Sequence, residues 1–272
     1  MIVDAHHHLL DRPGYAEELA AECRRLGIAK VCVFAAGKLS AAYGVGNNDA
    51  VRAAMGAHPD VIVGFASFDL GIDPPEAIDR FADQGFRGVK FINPAKPYAD
   101  RGFYDVYERI ERRGLPAIFH LGIVARTAED RRFDVDSERH RPIYLDTIAR
   151  AFPGLTLIGA HLGNPWYEEA AMACRWNPNL YFDLSGSTLK CKSPEFLGGL
   201  LWWTPATRYR DRQGRHAWEK IVFGSDVPCG EIEDVLNDYR RVMGRLGVAP
   251  DLQAGVLGGT MARLLGVKCP AG

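Results

Sequence analysis

The chain has 272 residues, of which 47% are hydrophobic and 25% charged, and its formal net charge is −1. A protein that binds nucleic acid by neutralising phosphates carries an excess of Lys and Arg, so this balance argues against that class. No apolar run reaches the roughly 18 residues that a membrane-spanning helix needs. The six cysteines form no C-x-x-C pair. They favour reduced thiols in a cytoplasmic protein over a disulfide framework or a zinc ribbon.

Short apolar runs alternate with amphipathic helical stretches along the whole chain. Eight candidate strands recur at intervals of about 25 to 40 residues, which is the length of a strand plus a return helix. They begin near Ile2, Lys30, Val61, Gly88, Leu115, Leu155, Leu180 and Ile221. Helical periodicity is clearest over Ala16–Leu26, Pro75–Gln84, Tyr104–Arg113 and Glu231–Leu246. Each of these stretches is followed by a glycine suited to a left-handed cap, at Gly27, Gly85, Gly114 and Gly247.

Eight such units predict one α/β domain over residues 1–272, a (β/α)8 TIM barrel. A doubly wound open sheet is the alternative, because periodicity does not separate the two architectures. The longest predicted intervals follow strands five and seven. In a barrel, the extra chain there would lie on the carboxyl-end face, where barrel enzymes build their active sites.

The first predicted strand carries a candidate metal-binding pair. Side chains alternate across a strand, so His6 and His8 point the same way and His7 points the opposite way. Two imidazoles at this spacing can reach one metal ion, and Asp4 lies on the same face. A chance cluster of histidines is the competing interpretation.

Further polar residues follow other predicted strands. His120 and His161 each end an apolar run just before a Leu-Gly pair, Asp226 follows strand eight, and Lys90 lies within strand four. The carboxyl ends of barrel strands converge on one axis, so these groups are predicted to become neighbours. Imidazoles with one carboxylate suit Zn²⁺, and Mn²⁺, Fe²⁺ or Co²⁺ are possible.

The order of these motifs resembles the amidohydrolase superfamily. Within it, the chain is most similar to the amidohydrolase-2 branch, which includes relatives of aminocarboxymuconate-semialdehyde decarboxylase. The resemblance covers the whole chain and includes a C-terminal helical segment at about residues 250–266. There Thr260 stands where relatives often have asparagine. The resemblance also implies a homodimer.

The same resemblance implies a role for each strand-end residue. His6, His8, His120 and Asp226 would bind one divalent metal ion, and His161 would act as an acid–base group or oxyanion partner. Two-metal relatives carry a carbamylated lysine on the strand of Lys90. We favour a single ion, with Lys90 as a charged residue that contacts the substrate or belongs to a charge network. Metal analysis that gives two equivalents per chain would overturn this preference.

The predicted reaction is hydrolysis of a small, carboxylated amide, lactone or ester through a metal-activated water. In it, Asp226 accepts the water proton and passes it on, and His161 assists. Metal-dependent, non-oxidative decarboxylation of a small unsaturated or aromatic acid is the alternative. A barrel that binds without turnover is disfavoured, because every position of the site is filled.

The substrate-binding residues are less specified. Lys90, Asn93 and Tyr98 lie in or after strand four, and Trp166 follows His161. The segment Arg126–Arg141 is interpreted either as a solvated loop or as a lid. In a lid, Arg126, Arg139 or Arg141 would hold a substrate carboxylate.

Overall fold

Eight parallel strands follow one another around the sheet in chain order. The computed structural model describes residues 1–207 and 214–267. The strands pair in the order β1 to β8, and the Ala5 N–H donates to the Phe223 carbonyl at 2.8 Å, which joins β1 to the end of β8. This confirms the TIM barrel and excludes the doubly wound sheet, whose strand order reverses midway. The strands are β1 (Ile2–His8), β2 (Ile28–Phe34), β3 (Ile62–Ser67), β4 (Val89–Phe91), β5 (Ala117–Phe119), β6 (Leu157–Gly159), β7 (Leu180–Asp183) and β8 (Ile221–Val222).

The helices lie between the strands, and four of them match the predicted stretches within two residues. In the first helix, Glu17 and Glu18 occupy the first turn and Arg24 and Arg25 the last, which complements the helix dipole. Gly27 ends that helix at φ 69°, and Gly85, Gly114 and Gly247 also adopt positive φ. The helices are α1 (Tyr15–Leu26), α2 (Asn48–Ala57), α3 (Ala77–Asp83), α4 (Tyr104–Arg112), α5 (Ile143–Ala151), α6 (Tyr167–Trp176), α7 (Ser187–Cys191), α8 (Pro194–Leu200), α9 (Ile232–Arg245), α10 (Pro250–Ala254) and α11 (Thr260–Leu264).

The barrel interior is apolar below the site. Inward-facing side chains from the strands form one buried cluster, and Met261, Ala262 and Leu265 at the C-terminal end pack against it. A Cβ at Gly258 would come within 2.5 Å of the Met1 carbonyl oxygen, so the C-terminal helical segment covers the amino-terminal end of the barrel. The polar strand-end residues are therefore left at the opposite, carboxyl-terminal end.

Within residues 1–207 and 214–267, none of the helices combines the length and hydropathy that crossing a bilayer requires. Cys269, one of the six cysteines interpreted as reduced thiols, lies outside the described residues.

Candidate active site

Three strand-end side chains form a tight group where β1 and β8 end. The ligand atoms of His6, His8 and Asp226 all lie within 4.8 Å of one another. Asp226 Oδ1 is 3.4 Å from His6 Nε2 and 3.9 Å from His8 Nε2. His6 is almost fully buried, while His8 and Asp226 are 21% and 23% exposed. The group is therefore anchored in the barrel on one side and accessible on the other.

Left-handed backbone conformations turn two of the polar side chains over the barrel. Asp226 has φ 48° and His161 has φ 61°, values that non-glycine residues rarely adopt. The Asp226 N–H donates to the His6 carbonyl at 2.8 Å, which holds the residue against β1. Strain of this kind is concentrated at functional sites, because the surrounding structure has to maintain it.

Asp183 orients the imidazole of His6. The His6 Nδ1–H donates to Asp183 Oδ2 at 2.8 Å, and both side chains are buried. Burial alone would raise the pKa of Asp183, but the electrostatic interaction and the hydrogen bond with the His6 imidazole hold it well below its usual value. A carboxylate on Nδ1 fixes the tautomer in which His6 Nε2 carries a lone pair. That nitrogen is the one facing Asp226.

The same aspartate sets the tautomer of His161 through a serine. Ser185 Oγ donates to Asp183 Oδ1 at 2.6 Å, so the serine oxygen accepts from His161 Nδ1 at 2.9 Å. His161 Nε2 is then the unprotonated nitrogen, and it lies 3.8 Å from Asp226 Oδ2. Burial lowers the pKa of His161, although Asp226 acts to raise it. A neutral His161 therefore presents a proton acceptor to the outer oxygen of Asp226.

His120 lies beside the three-residue group rather than within it. Its ring centroid is 5.0 Å from that of His161, and both follow strands on the same side of the barrel. Among the described residues, His120 Nε2 is buried and has no hydrogen-bond partner. A buried polar atom without a partner raises the free energy of the fold, unless something in the functional state binds it.

Phe34 and Lys90 pack beneath the candidate metal ligands of β1. The Phe34 ring packs against His6 and His8, with centroid distances of 5.1 and 4.8 Å. Lys90 Nζ is 4.5 Å from the Phe34 centroid and 3.2 Å from His6 Nε2. Burial lowers the pKa of Lys90 to about 8, although Asp226 and Asp183 act to raise it. Lys90 therefore belongs to the charge network beneath the cavity.

The family comparison agrees with this geometry. The family model described as amidohydrolase matches residues 3–267. The chain belongs to the amidohydrolase-2 family. Its members are metal-dependent enzymes of the amidohydrolase superfamily. No curated protein matches the chain.

Solved structures share the fold of this amidohydrolase. One is an uncharacterised TIM-barrel protein, Bb4693, from Bordetella bronchiseptica, with 19% identity, a TM-score of 0.71 and coverage of 97% of this chain and 98% of that one. Dihydroorotase from Saccharomyces cerevisiae, in complex with 5-fluoroorotic acid, has 14% identity, a TM-score of 0.64 and coverage of 98% and 84%. The 5-carboxyvanillate decarboxylase LigW2 from Novosphingobium aromaticivorans, with bound manganese, has 12% identity, a TM-score of 0.61 and coverage of 98% and 97%.

The residues of this amidohydrolase fit a divalent metal ion. Burial lowers the pKa values of His8 and His120 well below the usual imidazole value, so both rings keep lone pairs that can bind a cation. Burial alone would raise the pKa of Asp226, but electrostatic interactions with the His6 and His161 imidazoles hold it below its usual value. Neutral imidazoles with one carboxylate match the ligand preferences of zinc, manganese, iron and cobalt.

A cavity of about 250 Å³ opens above this group. Four of the predicted site residues line it, while Lys90 and the predicted contacts Asn93, Tyr98, Arg126 and Trp166 do not. The complete lining is His8, Leu10, Tyr43, Val45, Ile92, His120, Ala125, His161, Asp226, Val227 and Pro228. Of the candidate ligands, His6 lies behind this lining, buried against Asp183.

Tyr98 and Asn93 support the site from behind, so the structure does not favour the predicted direct contact with substrate. Tyr98 is completely buried, and its hydroxyl donates to the His120 carbonyl at 3.1 Å. The Asn93 N–H donates to His140 Nε2 at 2.9 Å, and its side-chain amide donates to the Phe133 carbonyl. Both residues connect the segments after β4 and β5, which sequence spacing does not reveal.

Trp166 and Arg126 are also not among the residues that line the cavity. Trp166 packs under the Arg141 guanidinium, 5.2 Å from its ring centroid, and Arg141 pairs with Glu169. Arg126 is exposed and next to the cavity residue Ala125. A role for these two residues in substrate binding stays a prediction, but no contact with the cavity supports it.

The segment after β5 packs over the carboxyl end of the barrel instead of extending into solvent. Val124 joins Ala36, Leu39 and Ile92 in a buried apolar group, which we call the loop cluster, and Tyr43, Phe133 and Val135 pack against it. The Tyr43 hydroxyl donates to the Ala125 carbonyl at 2.7 Å. This packing favours the lid interpretation of residues 126–141 over a solvated loop.

Sequence reasoning did not identify Phe34 or Tyr43 as parts of the site. Phe34 is the last residue of β2, so its place at a carboxyl-terminal strand end was an available signal. Tyr43 lies in a short helical turn of the β2–α2 connection, where composition carries no distinguishing mark.

Proposed function

We propose that this amidohydrolase is a metal-dependent hydrolase that cleaves an amide, lactone or ester bond of a small molecule. The observation that carries the proposal is that the two carboxylate oxygens of Asp226 face different partners. Oδ1 faces His6 and His8, and Oδ2 faces His161 Nε2 at 3.8 Å. One carboxylate can thus bind a metal ion and transfer a proton to a second group.

The ion would be held by His6, His8 and Asp226, with His120 completing the set. A single zinc ion is our first choice, and the manganese in the Novosphingobium decarboxylase supports manganese as a test ion. A divalent ion at such a site supplies Lewis acidity, which activates water and polarises a carbonyl oxygen.

Asp226 and His161 would then transfer the protons of the reaction. Asp226 Oδ2 is placed to accept a proton from the attacking water, and His161 Nε2 is placed to receive it next and deliver it to the leaving group. Asp183 holds His161 in the required tautomer through Ser185. The apolar walls limit the access of other water molecules to the reacting bond.

The proposal is tested by following the fate of water and carbon in a panel of lactones, amides, esters, and aromatic and unsaturated acids. In water enriched in ¹⁸O, hydrolysis puts one labelled oxygen into the acid product, which mass spectrometry detects. Release of carbon dioxide from a panel acid, with no labelled product from any acyl compound, would show that the chain is a decarboxylase instead.

Replacing His161 by asparagine is expected to lower kcat by about 10²-fold, because an amide cannot carry a proton between Asp226 and the leaving group. Asparagine tolerates the left-handed backbone found there, so the fold and the metal content should be maintained. Steady-state kinetics and elemental analysis measure both effects. The His58→Asn variant, at the end of α2 and outside the cavity, is the control. Unchanged turnover in His161→Asn would exclude the proton-transfer role.

A further inference from the structure

The floor of the cavity is polar and is formed by His8, His120, His161 and Asp226, whereas the wall above it is apolar. Leu10, Val45, Ile92, Val227 and Pro228 surround it, together with Ala125 and the ring of Tyr43. Among the described residues that line it, none is a lysine or an arginine. The polar groups therefore lie at the floor, with a hydrocarbon surface above them.

Three cations that the structure describes near the site are held by other partners. Lys90 is completely buried, with Nζ against His6 and the Phe34 ring. Arg139 pairs with Asp134 at 2.8 Å and donates to the Pro94 carbonyl at 3.3 Å. Arg141 pairs with Glu169 and stacks on Trp166.

Arg126 also acts on a surface carboxylate. Hydrogen bonds from Thr127, together with the charge of Arg126, hold the pKa of Asp130 below its usual value. Arg126 itself is exposed. Thus Lys90, Arg139 and Arg141 are held by other partners, and Arg126, although next to Ala125, is outside the cavity lining.

An apolar wall without a cation disfavours binding of a substrate that would bury a charged group against it. A substrate with its reacting carbonyl at the floor must place its distal part against Leu10, Val45 and Ile92. A carboxylate there would lose its hydration and gain no ionic partner, whereas a hydrocarbon group would gain from leaving water. The wall therefore discriminates by charge as well as by size.

We propose that the distal part of the substrate is uncharged and apolar, so that the substrate is a neutral lactone, ester or amide bearing a small hydrocarbon or aromatic group. This replaces the carboxylated substrate expected from the sequence, and it rests on the hydrolase function proposed above. The cavity of about 250 Å³ lies below the roughly 300–1,000 Å³ of pockets for drug-sized ligands, which limits the group to a small one.

Two hydroxamate inhibitors test the charge preference of the cavity wall by binding alone, without turnover. 4-Isopropylbenzohydroxamic acid and 4-carboxybenzohydroxamic acid chelate a metal through the same group, so their distal substituents face the wall. Isothermal titration of the zinc-loaded protein should show at least about tenfold tighter binding of the isopropyl compound. Equal affinity, or preference for the carboxylate, would overturn the proposal. Failure of both compounds to bind would contradict the metal centre, and hence the proposed function itself.

A second experiment introduces a positive charge into the cavity wall. Ala125 is exposed and lines the cavity, so Ala125→Lys adds a cation where the fold has room for one. This variant should shift the affinity ratio at least about tenfold toward the carboxylate. Ala125→Met, of similar length and without charge, should not. An unchanged ratio in a folded Ala125→Lys protein would overturn the proposal, and if that variant unfolds, the wild-type ratio decides it.

The Arg126→Gln variant tests whether Arg126, which is next to the cavity but not in its lining, contributes to the affinity ratio of the two hydroxamates. We expect it to leave the ratio unchanged, because Arg126 lies outside the lining. A further loss of carboxylate affinity in this variant would show that Arg126 does reach the substrate, against the proposal.

Discussion

Replacing Asp226 by asparagine should lower kcat/KM by about 10³-fold or more, measured on the best substrate of the panel. The amide has nearly the shape of the carboxylate and tolerates the backbone at φ 48°, so the barrel should fold normally. What is lost is the negative charge that faces His6, His8 and His161. Both metal affinity and proton acceptance depend on that charge, which makes this the most damaging single substitution we expect.

The matched control is Asp49→Asn. Asp49 is in the first turn of α2, is 84% exposed and does not line the cavity. Its substitution should change kcat/KM by less than about twofold. If Asp226→Asn kept a tenth or more of the wild-type activity with normal metal content, Asp226 would be neither an essential ligand nor the proton acceptor.

Removing the metal should abolish activity and also reduce thermal stability. Dialysis against dipicolinate is expected to leave below about 1% of the activity, since no side chain in the cavity can replace a Lewis acid. The melting temperature should fall as well, because an ion that binds only the folded chain stabilises it. One equivalent of zinc or manganese should restore both properties, while magnesium, which prefers oxygen ligands, should not.

Metal stoichiometry distinguishes the alternatives for Lys90. One equivalent per chain, measured by elemental analysis, agrees with Lys90 as a network residue under His6. Two equivalents, together with loss of the second in Lys90→Gln, would favour the carbamylated bridge instead. Full activity in protein freed of metal would refute the metal-dependent function altogether.

The sequence identified the barrel because of two local regularities. Parallel strands covered on both faces are continuous apolar runs, and each needs a return helix of similar length, so the repeat of strand and helix is visible in one dimension. The helix-ending glycines were equally readable, since Gly27 and Gly247 are required by left-handed caps. The position of His6, His8 and Asp226 at one end followed from the rule that parallel strands point the same way.

The predicted substrate contacts Asn93 and Tyr98 stay predictions, and the structure does not support them because neither residue lines the cavity. Tyr98 and Asn93 follow β4 closely, and proximity to a strand end suggested the cavity. In the structure Tyr98 turns inward to the His120 carbonyl, and Asn93 connects two loops through His140. Sequence separation does not specify which way a loop side chain points, because that depends on packing partners from distant parts of the chain.

Taken alone, the sequence determined the number of strands and the polar groups at their ends, since these follow from local hydrophobic periodicity. The order of the strands, which separates the barrel from the doubly wound sheet, was decided by the tertiary structure. Tertiary structure decided how those groups work together. Asp183 fixes the tautomers of His6 and His161, Phe34 and Lys90 pack beneath His6, and the loop cluster supports an apolar wall. These properties arise from contacts between residues remote in the chain, whose distances and charges exist only once the barrel has closed.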